Sequence, residues 1–193
     1  MTSGTDPSWQ RGRVTTWDAV VLAGGEGRRL GGVDKPALRH GGRTLLEGVL
    51  AACRGARSQV VVGPPRSLPA EVVQVREDPP GGGPLAALAA ALPHLGAPAV
   101  VLLAADLPLL TYGAVQALLA AVDGHDVALA VDDTGHDQYL CGAWRTEVLH
   151  GEGRRVRDLL AGRDVVRVAL PGQPWRDVDT PEDLARWSVH PIG

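Results

Sequence analysis

The chain has 193 residues, 45% of them hydrophobic and 21% charged, with a mean hydropathy of zero and a formal net charge of −3. That length suits a single domain with a real core, and the 19 basic residues are scattered rather than gathered into a stripe, which argues against a general nucleic-acid surface. No apolar run reaches membrane-spanning length: the richest, residues 85–110, is interrupted by Pro93, His94, Gly96, Pro98 and Asp106.

Residues 1–17 contain Ser, Thr, Gly and Pro but no apolar segment of the kind a secretory signal needs. A disordered arm over residues 1–16, a single domain over 17–193 and a cytoplasmic location are expected. Residues 19–23 then form a Val-rich run without polar alternation, the pattern of a parallel strand covered on both faces. The run opens into a loop carrying Gly24, Gly25, Gly27, Gly31 and Gly32, where backbone N–H groups can approach a ligand without a Cβ in the way. Arg28, Arg29 and Lys35 add cations, and cations beside free N–H donors suit a polyphosphate. A Walker loop is absent, and the dinucleotide fingerprint fails because Leu30 stands where its last glycine belongs.

Gly41-Gly42-Arg43 reads as a turn, and Thr44 is placed to cap a helix carrying Leu45, Leu46, Val49 and Leu50. Strands are expected over 59–63 and 71–76, the first stopped by Pro64-Pro65 and the second by the Gly/Pro-rich loop 77–84. An Ala/Leu helix over 85–95 leads to the most hydrophobic strand, 99–105, which ends on Asp106. A carboxylate there sits at the carboxyl edge of the sheet, where open α/β folds bind ligands. Thr111 caps a helix through Val122; strands follow at 126–131 and 138–144, a short helix at 156–160, a strand at 165–170 and a brief extended piece at 175–178. Thr180-Pro181-Glu182-Asp183 is a helix start with cap, first-turn proline and capping-box carboxylate. Cys53 and Cys141, the only cysteines, lack metal spacing, and whether they pair is open. The alternation implies an α/β fold with a mainly parallel sheet and helices on both faces.

The order Leu22-Ala23-Gly24-Gly25, three residues, Arg29-Leu30-Gly31-Gly32, one residue, Asp34-Lys35 resembles the signature of the MobA-like NTP transferases that include molybdenum cofactor guanylyltransferase. Three later segments match the same pattern in order: Glu77-Asp78 with Gly83-Pro84-Leu85-Ala86, Asp106-Leu107-Pro108, and Asp177-Val178-Asp179-Thr180-Pro181. Ala87 replaces a family glycine, Gly63 stands where an asparagine is often found, and Gln138 lacks a following proline.

The resemblance implies a single-domain, Rossmann-like three-layer α/β/α nucleotidyltransferase that moves GMP from GTP to the phosphate of molybdopterin, releasing pyrophosphate with Mg²⁺ as cofactor. By that resemblance Asp106 is the principal metal ligand and Asp179 a second. Arg29 and Lys35 hold the β- and γ-phosphates, while Leu22, Ala23, Gly24, Gly25 and Asp78 contact the nucleotide. The chemistry agrees with those residue types: an incoming phosphate must attack a phosphate that repels it, so neutralisation and positioning do the work and no side-chain nucleophile is needed. The same resemblance implies GTP over CTP, because the cytidylyltransferase relatives usually lack the paired glycines that stand here at 24–25 and 31–32. Considered alone, Asp78 reads equally as a turn residue before Pro79, and Asp179 as part of a helix cap. Another base or acceptor, or a nucleotide-binding accessory protein without turnover, are the alternatives. GTP and a molybdopterin-type acceptor are the expected partners, without nucleic acid or membrane, and with transient contacts to other cofactor-biosynthesis proteins or molybdoenzymes.

Overall fold

The structure, a computed structural model, describes residues 13–25, 30–151, 153 and 155–190. Most of the expected arm, and Arg28 and Arg29 of the glycine loop, lie outside the described residues. Strand β1 (Trp17–Leu22) is buried along its whole length, and from Ala19 onward it carries the apolar run expected of a strand covered on both faces. A small antiparallel hairpin, β2 (Arg39–His40) and β3 (Arg43–Thr44), precedes helix α1 (Leu45–Ala52). The Thr44 hydroxyl accepts from the Glu47 backbone N–H while the Glu47 carboxylate accepts from the Thr44 backbone N–H, a complete capping box.

Strands β4 (Gln59–Val62) and β5 (Val73–Val75) follow, then helix α2 (Gly83–Ala91), strand β6 (Ala99–Ala104) and helix α3 (Tyr112–Ala121), capped by Thr111 as expected. α2 starts two residues earlier than the sequence suggests, because Pro84 is favoured in a first turn, and gives way to a 3-10 turn at Leu92–His94, where Pro93 has no N–H to continue the α-helix. The chain ends with β7 (Val127–Val131), β8 (Asp137–Arg145), 3-10 turns at Thr146–His150 and Val156–Leu160, β9 (Val165–Ala169) and helix α4 (Pro181–Arg186). The piece expected at 175–178 joins no strand; the Val178 N–H donates to the Asp106 carbonyl oxygen at 3.2 Å instead of entering a ladder.

The main sheet has the order β5-β4-β1-β6-β8-β7-β9. All neighbours are parallel except β8, which runs antiparallel to both β6 and β7 because only a five-residue turn separates it from β7. Alternate residues of the central strands feed two cores. Ala19, Val21, Val61, Val101 and Leu103 face α1 and α3; Val20, Leu22, Val60, Val100 and Leu102 face α2 and the two long 3-10 turns. Trp144 is wholly buried in the second core, a packing role. Cys53 and Cys141 are free thiols buried in the first.

One buried charge fixes the amino edge of the sheet. Oδ2 of Asp18, a side chain with no exposed surface, accepts from Arg57 Nη2 at 2.9 Å and from the backbone N–H groups of Gly96 and Ala97 at 2.8 and 2.9 Å. It thereby joins the loops that lead into β4 and β6. Among the described residues, no helix is long and apolar enough to cross a membrane.

Candidate functional site

The strand order reverses at β1, with β4 and β5 on one side of it and β6 on the other, so the carboxyl ends of β1 and β6 flank a crevice. The Ala105 N–H donates to the Leu22 carbonyl oxygen at 3.0 Å, carrying the pairing one step beyond β6 and delivering Asp106 to the rim. A cleft of about 890 Å³ opens there. Leu22, Gly24 and Gly25 form one wall, Glu77, Gly81 and Gly83 another, and Lys35, Asp106, Asp177 and Asp179 its floor.

Lys35 opens a short 3-10 turn (Lys35–Ala37) whose Pro36 is buried, which directs the ammonium inward. Its Nζ lies 3.4 Å from Asp106 Oδ2 and donates a hydrogen bond to Asp179 Oδ1. Asp177 and Asp179 come from the segment before α4. Buried Val178 between them faces inward, and alternation along the extended chain sends both carboxylates to the opposite side, toward Asp106. One oxygen from each of Asp106, Asp177 and Asp179 lies within 4.8 Å of the others. The Thr180 capping box, in which Asp183 accepts from the backbone N–H groups of Asp179 and Thr180, holds this segment in place.

The electrostatics follow from that crowding. Burial raises Asp106 above the ordinary carboxylate value, Lys35 opposes the rise and Asp179 adds to it. Asp177 is raised as well, by desolvation of its inner side and by the charges of Asp179 and Asp106. Burial pulls Lys35 down, but its hydrogen bond to Asp179 and the charge of Asp106 outweigh this and leave it above its usual value, so the ammonium stays charged at neutral pH. Three hard oxygen donors in one cleft suit a small divalent cation.

The structure brings together Leu22, Gly24, Gly25, Lys35, Asp106 and Asp179 of the residues singled out from the sequence. Ala23 lies directly behind this wall, buried. Asp78 does not line the cleft: it is exposed, and its neighbour Glu77 occupies the wall, with Oε1 accepting from the Gly81 N–H at 3.1 Å. Asp177 joins the carboxylate group although the sequence reading assigned it no role; the signal was its i, i+2 spacing from Asp179 across an apolar residue. Gly63 has a steric explanation. Its φ is +154°, and a Cβ there would fall 2.8 Å from both the carbonyl carbon and oxygen of Ala23. The end of β4 thus presses on the backbone that begins the glycine loop, leaving no room for a side chain.

Residues 19–169 match the MobA-like NTP transferase domain. The chain is 31% identical over 181 residues to a molybdenum cofactor guanylyltransferase of Rhodobacter capsulatus, covering 86% of this chain and 92% of that one. Among solved structures it is similar to molybdopterin-guanine dinucleotide biosynthesis protein A of Archaeoglobus fulgidus, with a TM-score of 0.67 and 23% identity over 88% of this chain and 95% of the other. A 2-C-methyl-D-erythritol 4-phosphate cytidylyltransferase of Thermus thermophilus shares the fold equally well, with a TM-score of 0.67 and 22% identity over 87% and 95%.

Proposed function

Because this chain belongs to the MobA-like NTP transferase domain family, a family of nucleotidyltransferases, we propose that it transfers GMP from GTP to the terminal phosphate of a molybdopterin-type acceptor. The observation that carries this reading is the meeting of Lys35 and the Asp106, Asp177 and Asp179 carboxylates beside the Gly24-Gly25 backbone at the carboxyl edge of the sheet. The name of the Rhodobacter relative supports guanine and the acceptor; the shared fold of a cytidylyltransferase shows that the fold alone selects no base.

In this reading an oxygen of the acceptor phosphate attacks the α-phosphorus of GTP, the α–β bridging bond breaks, and pyrophosphate leaves with the electron pair. Lys35 holds the phosphates and offsets charge growing on the bridging oxygen. The backbone of residues 22–25 lies against the nucleotide, and Arg29, from the same loop, grips its distal phosphates. Asp106, Asp177 and Asp179 would hold Mg²⁺, which supplies charge neutralisation between the two phosphate groups. The floor fixes the approach of two mutually repelling anions, and an acceptor phosphate ionised at neutral pH needs no general base. This activity belongs in the cytoplasm, with transient hand-over to other cofactor-biosynthesis proteins or molybdoenzymes.

Calorimetry with GTP, CTP, ATP and UTP in the presence of Mg²⁺, on the unaltered protein and on Asp106→Ala, tests base and metal together. Selective GTP binding whose Mg²⁺-dependent part is lost in the variant, followed by pyrophosphate release on adding a pterin phosphate acceptor, is the expected result. A preference for CTP would overturn the guanine assignment, GTP binding without turnover would leave a binding protein, and no nucleotide binding by folded protein would remove the reading altogether.

A further inference from the structure

The glycine loop between Ala23 and Asp34 borders the cleft, and both of its ends are anchored to the rest of the protein. Among the described residues, Arg66 touches the chain on both sides of it. Arg66, in the connection between β4 and β5, directs Nη1 to Asp34 Oδ2 at 2.6 Å and Nη2 to Asp34 Oδ1 at 2.7 Å, a two-pronged ion pair. The same Nη2 donates to the Ala23 carbonyl oxygen at 3.3 Å. Ala23 is the last residue before Gly24, and Asp34 immediately precedes Lys35.

Arg66 is itself held. Its backbone N–H donates to Gln74 Oε1 at 3.2 Å, and Gln74 Nε2 donates to the Pro64 carbonyl oxygen at 2.9 Å, bracing the connection against β5. The Arg66 side chain is only 14% exposed, and its Nε is buried without a partner among the described residues. The guanidinium is thus drawn inward while its partner Asp34 stays 54% exposed at the rim, and its planar fork can span a carboxylate and a carbonyl together. Asp34, through its carbonyl, also accepts from the Ala37 N–H at 3.0 Å, closing the turn that aims Lys35.

We infer that Arg66 is a positioning residue: it clamps the two ends of the glycine loop to the β4–β5 connection and so sets the mouth of the loop and the place of Lys35 for the nucleotide triphosphate. The inference rests on the nucleotidyl-transfer reading for its consequence, but the clamp itself is a property of the ligand-free protein. It separates two tasks on neighbouring residues, Asp34 anchoring and Lys35 contacting phosphate.

The test pairs hydrogen–deuterium exchange in ligand-free protein with nucleotide binding and steady-state kinetics, on Arg66→Ala, Arg66→Lys, Asp34→Asn and the Arg66→Ala/Asp34→Asn double variant. Arg66→Ala should quicken exchange in peptides covering residues 22–35 and weaken GTP binding about 10- to 100-fold, the scale expected when a group that orients a site is lost. The acceptor KM should stay unchanged, whereas a mere loss of folded protein would lower kcat and move neither KM. Arg66→Lys, which can reach one acceptor but not two, should restore only part of the affinity. The double variant should be little worse than Arg66→Ala, since both changes remove one interaction. Unchanged exchange over residues 22–35 in Arg66→Ala overturns the clamp whatever the binding data, and quickened exchange with unchanged GTP affinity overturns the positioning role. If the unaltered protein binds no nucleotide, the guanylyl-transfer reading falls while the exchange comparison still decides the clamp.

Discussion

Replacing Asp18 by asparagine should destabilise the protein without altering the chemistry of any molecule that remains folded. Asp18 Oδ2 accepts three hydrogen bonds, one from the Arg57 guanidinium and two from the backbone N–H groups of Gly96 and Ala97, while Oδ1 is buried without a partner among the described residues. Asparagine preserves the shape and one acceptor oxygen, but the bond to Arg57 loses its charge assistance, a difference of about 1–2 kcal/mol. With the carbonyl oxygen kept at the Oδ2 position, the new NH₂ group takes the buried Oδ1 position and needs an acceptor that the carboxylate did not, which adds about 1–3 kcal/mol when the donor is left unpaired. Part of this returns because Arg57, 45% exposed, can be rehydrated. A net loss of about 2–4 kcal/mol corresponds to a fall of roughly 5–15 °C in Tm for a chain of this size. Urea unfolding and thermal melting would measure it, and the turnover per folded molecule should match the unaltered protein because Asp18 lies at the edge of the sheet opposite the cleft. A loss below about 0.5 kcal/mol would refute the reasoning, since it would mean that this carboxylate gains nothing from its charge.

The pH dependence of the same group has a definite sign. Burial pushes the Asp18 carboxyl upward, but Arg57 and the Ala97 and Gly96 N–H groups outweigh it and hold the value below the ordinary 3.8. A depressed folded-state value means that the contribution is fully present above the unfolded value and is lost as pH falls through the folded one. The unaltered protein should therefore lose stability below about pH 4 with a steeper slope than Asp18→Asn, read from urea midpoints between pH 2.5 and 6; parallel curves would contradict this.

Two further outcomes concern the cleft. Asp177→Asn should raise the Mg²⁺ concentration for half-maximal nucleotide binding about 10- to 100-fold, the loss of one charged ligand, while the metal-free protein melts no lower because three crowded carboxylates become two; an unchanged Mg²⁺ dependence would remove Asp177 from the ligand set. Gly63→Ala should cost about 1–3 kcal/mol in a urea titration and weaken nucleotide binding as well, because its Cβ must displace the Ala23 carbonyl at the entrance of the loop; a neutral substitution would show that this contact relaxes freely.

Much of the frame was legible because it rests on local rules. The apolar run at 19–23, the Thr44, Thr111 and Thr180 caps and Asp106 at the end of the most hydrophobic strand each carry their meaning within a few residues. What escaped depends on distant partners. The antiparallel insertion of β8 between β6 and β7 is a consequence of pairing, although the short turn after β7 hinted at it. Residues 175–178 look like a strand, but the Arg176 N–H turns back to the Gln173 carbonyl oxygen and the Val178 N–H goes to that of Asp106, a partner far away in sequence. Which of two adjacent acids, Glu77 or Asp78, faces the cleft is decided by the path of the loop after β5, and the composition of that loop does not reveal it. The clamp by Arg66 was invisible for the same reason: nothing near it in sequence names Asp34 as its partner.

The two buried thiols have a practical consequence. Burial, with the charge of Cys141 adding to it for Cys53, pushes both up to about 12, so in the closed protein at pH 8 only about one thiol in ten thousand is ionised. Because both sit in the core under α1 and α3, alkylation must wait for that layer to lift away from the sheet. The rate of labelling at each cysteine, followed by mass spectrometry without denaturant, therefore times the separation of this layer, and comparing the two rates tells whether α1 and α3 leave the sheet together or in turn.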